Sequence, residues 1–348
     1  EEGLTCRMRR YHPAHMTFAA LLHALRSRYH THRWRRAFQQ AQAEPRAPAV
    51  THAGRDAASR PAAALWGDGP AHSDPVPPVV WMYWDAARIP TFVAWCIAGV
   101  RRLNPKLEVR LLRPDDLPRY LVLHPGLARA SVHQRADWIR LELLHRHGGI
   151  WLDASTVLTA PLDWVFDTQR ATGSEWVGFQ IAQSQRDPRY PVIENWFLAA
   201  PARSRFIADW REIFTREIIE GGAARYVAQL RDSGRLDTLA QAIGMPDYLT
   251  MHLCAQQLIQ DQDQDQGRSR YRLALYKAED TAFRLHEQAG WRRTPLQLQL
   301  LAHPAPPDAP ALIKLRSMDR KYIEAYVARG LYRPDSLVGR LVEAERSA

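Results

Sequence analysis

ADWIRLELLHRHGGIWLDAST, residues 136–156, is the stretch whose reading decides the fold. Residues 136–147 read as a helix that stops at Gly148 and Gly149, because glycine takes the left-handed conformation that closes a helix C-terminus. Residues 150–152, Ile-Trp-Leu, follow as a short buried strand that ends on Asp153. Open α/β sheets hold ligands outside the carboxyl ends of their strands, so a carboxylate at that point is a site candidate on geometry alone.

Spaced at ~100° per residue, Leu141, Leu143 and Leu144 mark an apolar arc that takes in Asp137 and Arg140, with Glu142 and Arg146 pointing away. Charges inside an apolar arc need partners. One reading is an internal Asp137–Arg140 ion pair at i, i+3 spacing. The other adds Asp153, one helix cap and one short strand away, so that an acid, a base and a second acid converge on one crevice.

These residues carry a resemblance. Asp137, Arg140, the leucine-rich turn, Gly148-Gly149, an aromatic, Leu152 and Asp153 resemble the capsular polysaccharide synthesis glycosyltransferases, bacterial DXD-type relatives of the fungal initiating mannosyltransferases and the large glucosylating toxins. The resemblance implies a GT-A-like, Rossmann-related α/β fold with a mostly parallel central sheet flanked by helices. It implies that Asp137 and Arg140 hold the donor sugar and its phosphates, and that Asp153 opens the DXD motif and serves catalysis with Arg140. It also implies a divalent metal, Mn or Mg, at Asp153 and position 155. There this chain departs from the motif: Ser155 stands where the second carboxylate belongs.

With 348 residues and 46% hydrophobic content, the chain can bury a large core. The expected organisation is a basic amphipathic helical extension at residues 1–42, a flexible linker at 43–78 and one GT-A-like domain at 79–348. In the extension Phe18, Leu22, Leu25 and Tyr29 step by three and four among arginines, a pattern that suits either an anionic membrane surface at residues 16–40 or packing on the main domain. His30 and His32 do not share a helical face, which argues against a metal pair. The linker assignment rests on aperiodic Ala, Pro, Gly, Asp and Arg.

No window approaches the ~20 apolar residues of a membrane span, and the first residues lack the order of a signal peptide, so a soluble or peripheral cytoplasmic protein is expected. Cys6, Cys96 and Cys254 are widely spaced and odd in number, against a disulfide framework or zinc ribbon. The formal net charge of +10 asks for an anionic partner, without choosing among nucleotide, glycan, lipid and nucleic acid.

Further along the chain, residues 79–84 (VVWMYW), a helix at 91–103 and residues 107–112 make a β-α-β unit. For Trp84, at the first strand's end, the resemblance implies stacking on a nucleotide base, and core packing is the other reading. Residues 176–181 and 192–200 read as further strands; in the second, the resemblance turns Asn195 toward donor or acceptor, while a backbone bond would satisfy it equally. Residues 204–220 and 248–259 read as helices, with His252 in the latter as either a satisfied core histidine or a site residue. Residues 260–266 read as an exposed Gln/Asp loop. Lys314 lies in a strand-like run at 311–315, where the resemblance places an ammonium that neutralises a leaving diphosphate and where a solvated basic face is the other reading.

The function implied is transfer of a sugar from a UDP- or GDP-linked donor to a glycan or glycolipid hydroxyl, with retention, in capsular or other surface polysaccharide synthesis. Two other classes stay open: a sugar-nucleotide binder that has lost catalysis, suggested by Ser155, and a non-specific nucleic-acid-binding protein, suggested by the basic helix. Against nucleic acid as a partner stands the lack of a helix-turn-helix, RNP or zinc pattern. GxSxG, Walker A and HExxH are all missing, His286-Glu287 having no second histidine.

Overall fold

The structure, a computed structural model, describes residues 18–43, 62–261 and 269–347. Its strands are β1 (Ala64–Trp66), β2 (Val79–Tyr83), β3 (Glu108–Leu112), β4 (Gly149–Leu152), β5 (Val157–Leu158), β6 (Trp176–Gln180), β7 (Ile193–Ala200), β8 (Leu273–Lys277) and β9 (Leu312–Ile313). Seven form one sheet in the order β1-β8-β6-β7-β4-β2-β3, and β5 pairs with β9 apart from it. β3, β2 and β4 run parallel, β7 is antiparallel to both its neighbours, β8 runs parallel to β6, and β1 is antiparallel to β8. Five of the seven strands thus share one direction, the mostly parallel α/β sheet that the sequence leads one to expect.

All five residues of β2 are buried, with Val79, Trp81 and Tyr83 in one core and Val80 and Met82 in the other. That is why its sequence is a continuous apolar run with no alternation: helices cover both faces of the sheet. The Thr91–Leu103 helix has the bounds its pattern predicts, and buries Phe92, Val93, Cys96, Ile97 and Val100.

The central helix, Val132–His147, begins four residues before its apolar pattern does, because Ser131 and Gln134 form a reciprocal capping box. It ends at Gly148 and Gly149, with φ of 64° and 101°. A Cβ at Gly148 would lie 2.5 Å from the Ala202 nitrogen, and one at Gly149 would lie 2.7 Å from the Val79 oxygen. Glycine is needed at both positions for conformation and for closeness to the neighbouring chain.

One sequence expectation is corrected on this helix. Residues 137–144 are all buried, and Glu142, read as pointing to solvent, is 2% exposed. The Arg205–Phe214 helix packs along that side, and its Arg211 meets Glu142 at 3.1 Å while Arg146 pairs with it from the next turn.

The helices Arg293–Leu301, Ile323–Val327 and Leu337–Arg346 enclose a third core with Phe92 and Cys96 of the Thr91–Leu103 helix. The N-terminal helix, Phe18–Ala43, joins this core through Trp34, which stacks on Tyr326 at 4.6 Å and donates to the Leu331 carbonyl at 3.2 Å. Side chains of residues 18–28, which carry the first apolar positions of the expected amphipathic face, lie outside the described part. So do residues 44–61 of the expected linker and 262–266 of the Gln/Asp loop; residues 64–66, also within the expected linker, form the edge strand β1. Among the described residues no helix is long and apolar enough to cross a membrane.

Candidate functional site

The carboxyl ends of β2 and β4 lie side by side, since Val80 pairs with Ile150 and Trp81 with Trp151. Trp84 and Asp153 therefore leave the same edge of the sheet. Asp153 continues the strand pattern by donating its backbone N–H to the Trp196 carbonyl at 2.9 Å, which seats it between β4 and β7. The central helix lies against the same strands and delivers Asp137 and Arg140 from its second and third turns.

Arg140 is the hub. Its guanidinium is 3.2 Å from Asp137 and 3.6 Å from Asp153, donates to the Asn195 carbonyl, and sits 4.9 Å from the centre of the Trp151 ring. Both readings of the helix thus hold at once: the i, i+3 ion pair forms, and it faces the second acid. Asn195 donates its side-chain amide to Asp137 at 3.1 Å, so the polar residue of β7 finds a side-chain partner as well as a backbone one. Lys314, following β9, places its ammonium on Asp153 Oδ2, while the Trp151 indole N–H reaches Oδ1 at 3.2 Å.

The two carboxylates are tuned apart. Burial pushes the Asp137 carboxyl up, against the pull of Arg140 and His252. Burial acts on Asp153 in the same sense, but Lys314 and Arg140 outweigh it and hold that carboxyl below the usual range. A pair of acids driven in opposite directions in one crevice is a common feature of sites that bind or transform charged ligands.

The remaining candidates fall into place around this centre. His252 is buried in the Thr250–Asp261 helix, 3.9 Å from Glu194 of β7, one strand residue from Asn195. Its Nδ1 is buried with no hydrogen-bond partner. Trp84 is half-buried, gives its indole N–H to the Arg88 carbonyl at 3.1 Å and lies under the guanidinium of Arg320 at 5.6 Å. Arg320 was not singled out from the sequence: it sits in a basic run, and nothing in a run of charges tells which one turns inward. The His286–Asp319 pair was missed too. It is fully buried, with Nε2 3.0 Å from Oδ2, and Arg316 closes on Asp319 through its backbone N–H at 2.9 Å and its guanidinium at 2.8 and 2.9 Å.

A divalent metal does not fit the donors as they stand. Among the described residues no three His, Cys, Asp or Glu side chains gather to hold an ion. Asp153 is the one carboxylate of the expected pair with Ser155, and both its oxygens already face cationic or N–H donors.

Residues 70–217 match the family described as Capsular polysaccharide synthesis protein, the family that the sequence resembles. A segment of 156 residues is 31% identical to Glycosyltransferase afumC of Aspergillus fumigatus, covering 39% of this chain and 39% of that protein. One of 157 residues is 31% identical to O-glycosyltransferase braB of Annulohypoxylon truncatum, covering 39% of this chain and 37% of that one. The matches thus span well under half the length of either relative. Among solved structures, the PaToxG glycosyltransferase is similar at 13% identity and a TM-score of 0.34, over 88% of this chain and 98% of that one. The galactosyltransferase LgtC, in complex with donor and acceptor sugar analogs, is similar at 12% identity and a TM-score of 0.27, over 47% and 70%.

Proposed function

From the match of residues 70–217 to the capsular polysaccharide synthesis family, we propose that this chain is a glycosyltransferase acting at the Asp137–Arg140–Asp153 centre. It moves a sugar from a UDP- or GDP-linked donor to a hydroxyl of a glycan or glycolipid, in capsular or other surface polysaccharide synthesis. The observation that carries this reading is that one buried guanidinium bridges a buried acid, Asp137, and a half-buried one, Asp153, at the carboxyl edge of the sheet.

In the reaction the bond from the anomeric carbon to the diphosphate oxygen breaks with its electron pair leaving on the diphosphate. The acceptor oxygen bonds to the same carbon and passes its proton to the departing diphosphate oxygen. Charge therefore builds on the leaving group and, with opposite sign, on the sugar ring. Lys314 and Arg140 supply fixed positive charge on the leaving-group side, with Asp153 holding both cations in position. Asp137 and Asn195 face the donor sugar and accept or donate hydrogen bonds to its hydroxyls. Trp84 offers a half-exposed ring for the base. The resemblance adds retention of configuration and a GT-A-like arrangement of the donor across the sheet edge.

Free, buried Cys96 and Cys254 accord with a reducing cytoplasm, and the arginines of the N-terminal helix accord with the inner face of a membrane. Ser155 supports a second reading, a sugar-nucleotide binder without turnover.

The test is a panel of UDP- and GDP-sugars offered to the full chain with glycan and glycolipid acceptors, following nucleotide diphosphate release and, in parallel, calorimetric binding. Release from at least one donor is expected. Binding without release across the panel selects the second reading, and neither binding nor release overturns both.

A further inference from the structure

Two cations on one short segment reach the crevice from the C-terminal side. Lys314 is anchored by its backbone N–H on the Ala282 carbonyl at 3.2 Å and extends its ammonium past the Trp196 ring, 5.9 Å from its centre, to Asp153. Arg320 lies over Trp84 at the same edge of the sheet, and Asp153 acts on it electrostatically. It makes no ion pair among the described residues, and its Nε is buried with no hydrogen-bond partner. A guanidinium left in that condition is costly unless something anionic joins it.

The segment between these cations is fixed. Asp319, buried to 0% exposure, takes three hydrogen bonds from Arg316 and one contact from His286, so the turn carrying Lys314 and Arg320 has little freedom. Around the crevice Arg140, Lys314 and Arg320 supply three positive charges and Asp137 and Asp153 two negative ones, and Glu324 acts on Arg320 from the next turn. Asp137 and Asp153 are thus taken up by Arg140 and Lys314, Arg320 pairs with neither of them, and Ser155 stands where a divalent ion needs the second carboxylate.

We propose that Lys314 and Arg320 stand in for the divalent cation, binding the donor diphosphate directly, so that nucleotide binding at this site needs no metal. The proposal rests on the glycosyltransferase reading and is separable from it by experiment. Two fixed donors do what an ion would: the ammonium as a point charge and the guanidinium as a fork that fits phosphate oxygens, with the Trp84 ring beside it for the base.

The test is calorimetric binding of UDP and GDP to the full chain, once in excess EDTA and once with MnCl2. Equal affinity in the two buffers is expected. Binding that appears only with MnCl2 overturns the metal-free site and leaves the glycosyltransferase reading standing, whereas no binding in either buffer overturns both. Arg320→Ala is expected to lose at least ~10-fold in affinity in EDTA, and Arg320→Lys to recover part of it. Unchanged affinity in Arg320→Ala overturns the role of Arg320. Should that variant fail to fold, the two buffers on the unaltered chain still decide.

Discussion

Two buried acids lie five residues apart on the central helix and live in opposite circumstances. Glu142 has two arginines to itself, Arg146 on its own helix and Arg211 on the neighbouring one, and although burial pushes its carboxyl up, their hydrogen bonds hold it below the usual range. Asp137 shares a single arginine with a second acid, and burial leaves its carboxyl raised. The first is a structural ion pair, saturated by its own protein. The second is held by Arg140 and Asn195 beside the proposed donor site, and these partners do not offset its burial.

The larger of two expected effects concerns Glu142. Glu142→Ala leaves two arginines facing a buried gap, and stability at pH 7 is expected to fall by about 2 kcal/mol, read by denaturant unfolding. Because the carboxyl is lowered in the folded state, this contribution is present above the unfolded carboxylate pKa of about 4.3 and fades as pH falls through the folded value. Turnover per folded molecule should stay unchanged. A variant as stable as the parent at pH 7 would break the contrast.

Asp137→Asn is the smaller effect and has the opposite sign. A raised carboxyl contributes stability that is present below the unfolded value of about 3.9 and lost as pH rises through the folded one, so at pH 7 the ionised group is a liability. The variant is expected to match or exceed the parent in stability at pH 7, read by denaturant unfolding, with the difference closing in acid. Discrimination between donor sugars should weaken more than nucleotide affinity does, measured as relative kcat/KM over a donor panel. A destabilised Asp137→Asn with intact sugar discrimination would make Asp137 a second structural acid like Glu142.

How much of this was legible in the sequence follows from the range of each interaction. The helix stop at Gly148-Gly149, the strand to Asp153 and the β-α-β unit are local patterns, and local patterns can be read. The Asp137–Arg140 pair is three residues wide and was visible as an anomaly in an apolar arc. Glu142 was misread because a helical wheel assumes one solvent face, and this helix is covered on both sides. Lys314 meets Asp153 across 161 residues of chain, and His286 meets Asp319 across 33; no spacing encodes such contacts. Arg320 differs from its basic neighbours only in where the pinned turn points it. The strand β8, inserted between β1 and β6, was likewise unseen, since its partners come from distant parts of the chain.

The most direct measurement is nucleotide diphosphate release from the preferred donor by Asp153→Asn, beside the unaltered chain, with thermal unfolding of both as the check on folding. Loss of Asp153 releases Lys314 and Arg140 from the geometry in which they meet the leaving group. Release is expected to fall by ~10²- to 10³-fold in a variant that still unfolds cooperatively. Parent-like release from a folded Asp153→Asn would contradict the assignment of this crevice as the place where the sugar is transferred.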